Sequence, residues 1–339
     1  MTKYIIQRLI IAVPTILIIS FIVFAILELS PSDPVGQLPL TIPPEVREQI
    51  REALGVNDPF MIKYVKWLRQ FLINEPLNIL ENATGMTFGD SEGRLRYISW
   101  QTRSPIVDLI GQRWGQTFLV VGSAYVLGIM IAIPIGVISA YKQYSLFDQV
   151  GTFFAMVGFS VPTFFTGLMF IVFFSVKLKW FPSIYDTTLQ VSFNDFDSIV
   201  TQFKQMVMPM TVLGLFYMAQ ISRFTRSAML DNLHQDYIRT ARSKGLNERK
   251  VVLGHALRNS LIPVVTLITL GIPGIFQGAV ITEQIFRING LGQLLIIAIQ
   301  GGDLPTVQSL TFIFAVLIVV FNIVADVLYA LLDPRVAYN

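Results

Sequence analysis

Side chains that commonly do covalent chemistry are scarce in this chain. Cysteine is absent, so there is no thiolate nucleophile, disulfide framework or cysteine metal site. His234 and His255 are the two histidines, too few for most histidine-based metal cages, and a lone His255 reads as a hydrogen-bonded structural group. H-E-x-x-H does not occur, and Ser160 in Gly158-Phe159-Ser160-Val161-Pro162 is not a nucleophile elbow. The G-x-x-x-x-G-K-[ST] phosphate loop is missing too, so the chain is not itself an ATPase. These gaps point away from an enzyme, and no cofactor or metal is expected in the chain itself. What remains is placed charge. Eight basic residues (Arg223, Arg226, Arg239, Arg242, Lys244, Arg249, Lys250, Arg258) stand against Asp231, Asp236 and Glu248 in the segment 222–261. Glu28 and Glu283 lie near the ends of long apolar runs, and Asp326 lies inside one. Ionisable groups in such runs are functional suspects by default. Asp326 reads as structural pairing or gating, and Glu283 as an outer gate or a local cap.

The apolar runs must position that charge. Of 339 residues 53% are hydrophobic and 14% charged, about half the usual charge of a soluble domain, which excludes disorder and a nucleic-acid binder. Mean hydropathy is +0.61. Six stretches approach the ~20 residues a helix needs to cross a bilayer: 9–29, 117–140, 150–176, 206–221, 262–281 and 310–331. The fourth is the shortest. Pro14, Pro134, Pro162 and Pro209 fall inside spans, where neighbouring helices must satisfy the freed backbone groups. The run 294–299 is too short to span and reads as re-entrant or interfacial. The fold expected is an all-α integral membrane protein. Its parts are a first helix with its N-terminal segment (1–29), an outer loop (30–116), and a five-helix core (117–339) containing the inner loop 222–261. Glu-Leu-Ser-Pro after the first span is no cleavage site, so that helix is expected to stay.

Short-loop lysine and arginine set direction. Lys3 and Arg8 precede the first span, and the basic segment follows the fourth. An even number of spans separates them, so both are expected to be cytoplasmic, with both termini inside and 30–116 outside. The outer loop is expected to carry two amphipathic helices. One covers 45–54, stopped by Gly55. The other is capped by Asp58, has Pro59 at its first position, and shows Ile62, Val65, Leu68 and Leu72 at helical spacing. Together they make a lid, a docking platform or a packed cap. In the inner loop, 235–244 is expected to be a short helix with a small and hydroxyl face (Thr240, Ala241, Ser243). Gly245 ends it in the left-handed conformation, and Asn247 caps a second helix over 248–258. The result is a compact cationic knob beneath the membrane. It suits an acidic protein rim or anionic lipid, but lipid attraction requires no such order.

At these residues the chain resembles a known family. The run Asp236-Tyr237-Ile238-Arg239-Thr240-Ala241-Arg242-Ser243-Lys244-Gly245-Leu246, followed by His255-Ala256-Leu257-Arg258-Asn259-Ser260-Leu261-Ile262-Pro263, is similar to the cytoplasmic loop of ABC-importer permeases. The likeness is to the oligopeptide/dipeptide/nickel branch, in the subunit with the large external loop, and it runs along nearly the whole chain. Pro31-Ser32-Asp33-Pro34, Trp67-Leu68, Ser160-Val161-Pro162, Trp180-Phe181-Pro182, Glu283, Gly290-Leu291-Gly292, Asp303 and Asp333-Pro334-Arg335 also match. Arg239 stands where the wider superfamily often has glutamate. The resemblance implies type I importer architecture in a bacterial or archaeal plasma membrane, with a coupling helix whose Asp236, Tyr237, Arg239, Thr240, Ala241, Arg242, Ser243, Lys244, Gly245 and Leu246 dock on an ATPase. It implies a second, homologous permease, two ATPase subunits that bind ATP and Mg, an extracellular binding protein, and a peptide solute. An ion-gradient-driven secondary transporter is the alternative. It calls for internal repeats and paired carboxylates near mid-membrane, and neither is seen in the sequence.

Overall fold

The computed structural model describes residues 2–29, 43–46, 48, 57–88, 96–189, 191–192, 194–277 and 279–332. Among them the regular structure is helical. The first span is α1 (Thr2–Glu28), and α2 (Phe60–Arg69) and α3 (Glu75–Thr84) follow it. The second span, α4 (Ile106–Tyr141), contains a π turn at Phe118–Gly122. Next come α5 (Leu146–Ser160), α6 (Thr163–Lys177) and the long α7 (Phe196–Leu233). A short α8 (Asp236–Ser243) leads to α9 (Glu248–Phe276), which carries a π turn at Val251–Ala256. The chain ends in α10 (Val280–Phe286), α11 (Leu291–Gln300) and α12 (Leu304–Leu332). Five of these are long and apolar enough to cross a membrane. The pair α5 and α6, bent by 101°, passes the same test of length and composition when the two helices are taken together, and counted as one broken span it is the sixth.

That bend falls inside the third span expected over 150–176, at Pro162. Pro162 has no N–H to give, and the residue before a proline is pushed out of the helical region. Val161 accordingly sits at φ −79°, ψ 123°. The other intramembrane prolines, Pro14, Pro134, Pro209, Pro263 and Pro273, stay inside continuous helices. The fourth span also differs: α7 has 38 residues, extending past the expected 206–221 at both ends. The expected inner helix 248–258 and the fifth span form one helix, α9.

The chain divides into two compact units. One comprises the chain up to Ile10, Trp114–Gln293 and the chain from Leu317, and the other Ile11–Arg113 with Leu294–Val316. The second unit thus takes in residues 294–316 besides most of the outer loop. Its centre is aromatic, with Phe24, Tyr64, Trp67 and Phe312 buried together. The Tyr64 hydroxyl lies 2.8 Å from Ser20 Oγ. Asp303 is buried and accepts bonds from Ser99 Oγ, the Trp100 N–H (2.9 Å) and Thr306 Oγ1 (2.7 Å), which fixes the start of α12. Helix α2 begins one residue later than expected, and Asp58 pairs with Lys66 at 2.6 Å instead of capping. Its buried face is Tyr64 and Trp67, while Ile62 and Val65 are exposed. The larger aromatic rings remove more area from solvent and take the inward side. Of the expected helix 45–54, residues 45–46 and 48 are described and helical, and the rest lies outside the described residues.

In the first unit α4 packs along α7. Small residues four apart, Gly128, Ala132 and Gly136, line the contact. A Cβ on Gly136 would lie 2.6 Å from Thr225 Cβ and 2.7 Å from the Ser222 carbonyl. Ala132 is fully buried. Lipid tails give helices no hydrophobic reason to associate, so close backbone approach through small residues does that work.

Candidate functional site

The knob is built from the ends of three helices. Ile238 and Ala241 of α8 turn inward and pack with Val137 and Ala140 of α4, Met229 of α7 and Val251, Val252 and Ala256 of α9. Two apolar residues three apart are enough to seat a two-turn helix. The helix stops as its sequence requires. Gly245 has φ +74°, its N–H donates to the Arg242 carbonyl (2.9 Å), and the Leu246 N–H reaches the Ala241 carbonyl (3.4 Å). These two bonds satisfy two of the last four carbonyls of α8. Asn247 Oδ1 then accepts the Arg249 N–H at 3.0 Å, capping α9.

Everything else on α8 faces outward. Asp236, Tyr237, Arg239, Thr240, Arg242, Ser243, Lys244, Gly245 and Leu246 are exposed. Arg239 is 75% exposed, 3.5 Å from Asp236. Arg242 forks onto Glu248, with Nη2 to Oε1 at 2.7 Å, tying α8 to α9. That carboxylate raises the Arg242 pKa further, so its charge is permanent. Tyr237 donates to Asn232 Oδ1 at 2.6 Å. Nine of the ten residues expected to dock are therefore gathered on one accessible surface. Ala241 is the exception: it is 6% exposed and belongs to the support, so the small-residue face of Thr240, Ala241 and Ser243 is split between outside and inside. The surface continues past the expected limit into a shallow cavity of about 730 Å³ bordered by Leu246, Arg249, Lys250 and Leu253. Arg249 and Lys250 stand out in the sequence as charge, but their place beside α8 depends on the Gly245 turn.

Glu283 sits in a different kind of site. It is fully buried in α10. Its Oε1 accepts from Thr117 Oγ1 (2.9 Å) and its Oε2 from the Gln293 N–H (2.9 Å). Thr117 Oγ1 in turn accepts the Leu291 N–H at 2.7 Å. The carboxylate and the hydroxyl together cap the first turn of α11, where unpaired N–H groups and the helix dipole favour negative charge. A Cβ on Gly290 would lie 2.5 Å from this carboxylate, which explains the glycine before Leu291. Among the two readings open for Glu283, this is the geometry of a cap. Asp326 on α12 lies 3.1 Å from Arg8 on α1, and both are partly exposed. His255 is exposed in the π turn of α9.

Sequence reasoning passed over Asp148. It is buried at the start of α5 and forks onto Arg226 of α7, at 2.6 Å to Nε and 2.8 Å to Nη2. The signal was faint: one acid in the first turn of a span and one arginine 78 residues later.

Comparison with known proteins gives the family. The family described as binding-protein-dependent transport system inner membrane component matches residues 132–338, and its N-terminal companion matches residues 1–120. The chain belongs to this family. It is 40% identical to the oligopeptide transport system permease protein AppB of Bacillus subtilis over the full length of both. It is 33% identical to a putative peptide permease protein of Brucella suis, covering 99% of each. It is 31% identical to the dipeptide transport system permease protein DppB of Alkalihalophilus pseudofirmus, again over both full lengths. The chain is thus a multi-pass, non-catalytic inner-membrane permease that works with separate ATPase and binding-protein subunits.

Proposed function

We propose that the chain forms half of the translocation pathway of a peptide importer, paired with a second, homologous permease over two ATPase subunits, which are either two different chains or two copies of one. ATP and Mg²⁺ sit on those subunits. The knob is cytoplasmic and its exposed face enters a groove on one ATPase. The observation that carries this reading is the division of α8: Ile238 and Ala241 bind it to three helix ends, and the remaining charged and hydroxyl side chains face out. A helix held by its own chain on one side and left polar on the other is suited to transmit displacement through contact. ATP-driven closure shifts the spans only through contacts that differ between inward-open and outward-open states. The peptide assignment is supported by the names of the full-length relatives.

The test is reconstitution in liposomes with the partner permease, the ATPases and the binding protein. Uptake of a short peptide is expected to require both ATP and the binding protein. Uptake driven by an ion gradient without ATP, or of a nickel chelate but not a peptide, would contradict the proposal.

A further inference from the structure

Helix α5 is poorly anchored. Its buried side chains are Asp148 and Ala155, while Phe153, Phe154, Met156 and Phe159 are exposed. Toward the Val161-Pro162 break, a cavity of about 410 Å³ opens among residues of α5, α6 and α7, bordered by Phe154, Val161, Thr166, Val212 and Phe216. At the other end α5 is held tightly. Arg226 grips Asp148 with two parallel bonds, a geometry that fixes orientation as well as distance. The same carboxylate accepts the Tyr144 N–H at 2.9 Å, and Tyr144 has φ +63°, so Asp148 also holds the left-handed turn that joins α4 to α5. Ser139 of α4 comes within 3.3 Å of where a Cβ on Gly151 would stand. Arg226 lies on α7 between the Gly136 contact and the knob.

We propose that the Asp148–Arg226 pair is a positioning clamp that makes α5 follow the α4–α7 pair and its knob as one body, leaving the Val161-Pro162 break as the point where the third span bends during transport. The pair touches neither nucleotide nor solute; it acts through α5. The inference rests on the docking reading above, because the knob is where displacement enters.

The absence of cysteine lets the clamp be replaced by a single engineered bond. Ser139 and Gly151 are close enough for a disulfide once both are cysteine. The assay uses the full complex in liposomes, with trialanine as the probe, and measures trialanine imported per ATP hydrolysed, ATPase retained on purification, and thermal stability. Asp148→Asn and Arg226→Gln are expected to retain the ATPases but to lower trialanine per ATP by about tenfold, a coupling loss of ordinary allosteric size. Oxidising S139C/G151C in the Asp148→Asn background is expected to restore the ratio, and reduction to remove it again. Wild-type coupling in Asp148→Asn would overturn the clamp. If Asp148→Asn does not fold, S139C/G151C in the otherwise native chain decides: uptake after oxidation supports one-body motion, and blocked uptake overturns it. Failure of the docking reading looks different, since the native complex itself would then not depend on the knob to retain its ATPases.

Discussion

The knob and the Glu283 site are both short helices beside long spans, and they treat charge in opposite ways. In α8 the apolar residues Ile238 and Ala241 are buried, and Arg239 and Arg242 face out, with Lys244 exposed just past its end. In α10 the carboxylate is buried and bonded on both oxygens, while Ile281 is exposed. The difference separates two jobs. An outward charge is accessible to another molecule and adds little to stability. An inward charge is committed to its own backbone, and its loss leaves donors without partners. The second unit repeats the inward pattern at Asp303, which fixes the start of α12.

Substitutions can break this contrast. Glu283→Ala is expected to have the largest effect on stability, about 3 kcal/mol, because the Gln293 N–H and the Thr117 hydroxyl lose their acceptor. Thermal unfolding of the purified chain in detergent measures it, and a loss below about 1 kcal/mol would remove the cap assignment. Next is Ala241→Glu. It forces a charge into the cluster of Val137, Met229 and Val251 and is expected to cost about 2 kcal/mol in the same assay. Gly245→Ala places a Cβ at φ +74°, for an expected loss of about 1 kcal/mol and a frayed α8. No neighbouring atom lies within 4 Å of that Cβ, so the effect is backbone strain alone. The smallest stability change belongs to Arg239→Glu, within about 0.5 kcal/mol for so exposed a site. That variant sharpens the comparison, because it is expected to leave the chain folded while weakening co-purification of the ATPases.

Local chemistry made the knob legible in sequence. A glycine stop and an asparagine cap act within a few residues, so the start and end of α8 and the start of α9 lie within one or two residues of expectation. Spans were legible as apolar length, though α7 continues through polar residues at both ends that a hydropathy window leaves out. Pro162 and Pro209 show where such reading stops. Both interrupt an apolar run, but Pro209 stays within α7, buried along with Met208 and Val212, and Pro162 ends α5. Which outcome a proline takes depends on neighbours that are distant in sequence. The polar pairs are non-local in the same way: Glu283 meets Thr117 across 166 positions, and Arg226 meets Asp148 across 78. The small-residue stripe at Gly128, Ala132 and Gly136 was present as a spacing of four, a readable signal for the α4–α7 contact.

The most direct test places a photoreactive side chain at Arg239 or Ser243, on the exposed face of α8, in membranes that contain the assembled complex. The account predicts covalent adducts with an ATPase subunit that disappear when the ATPases are omitted. Adducts with phospholipid alone, or labelling of either position by an impermeant reagent added outside intact cells, would contradict it.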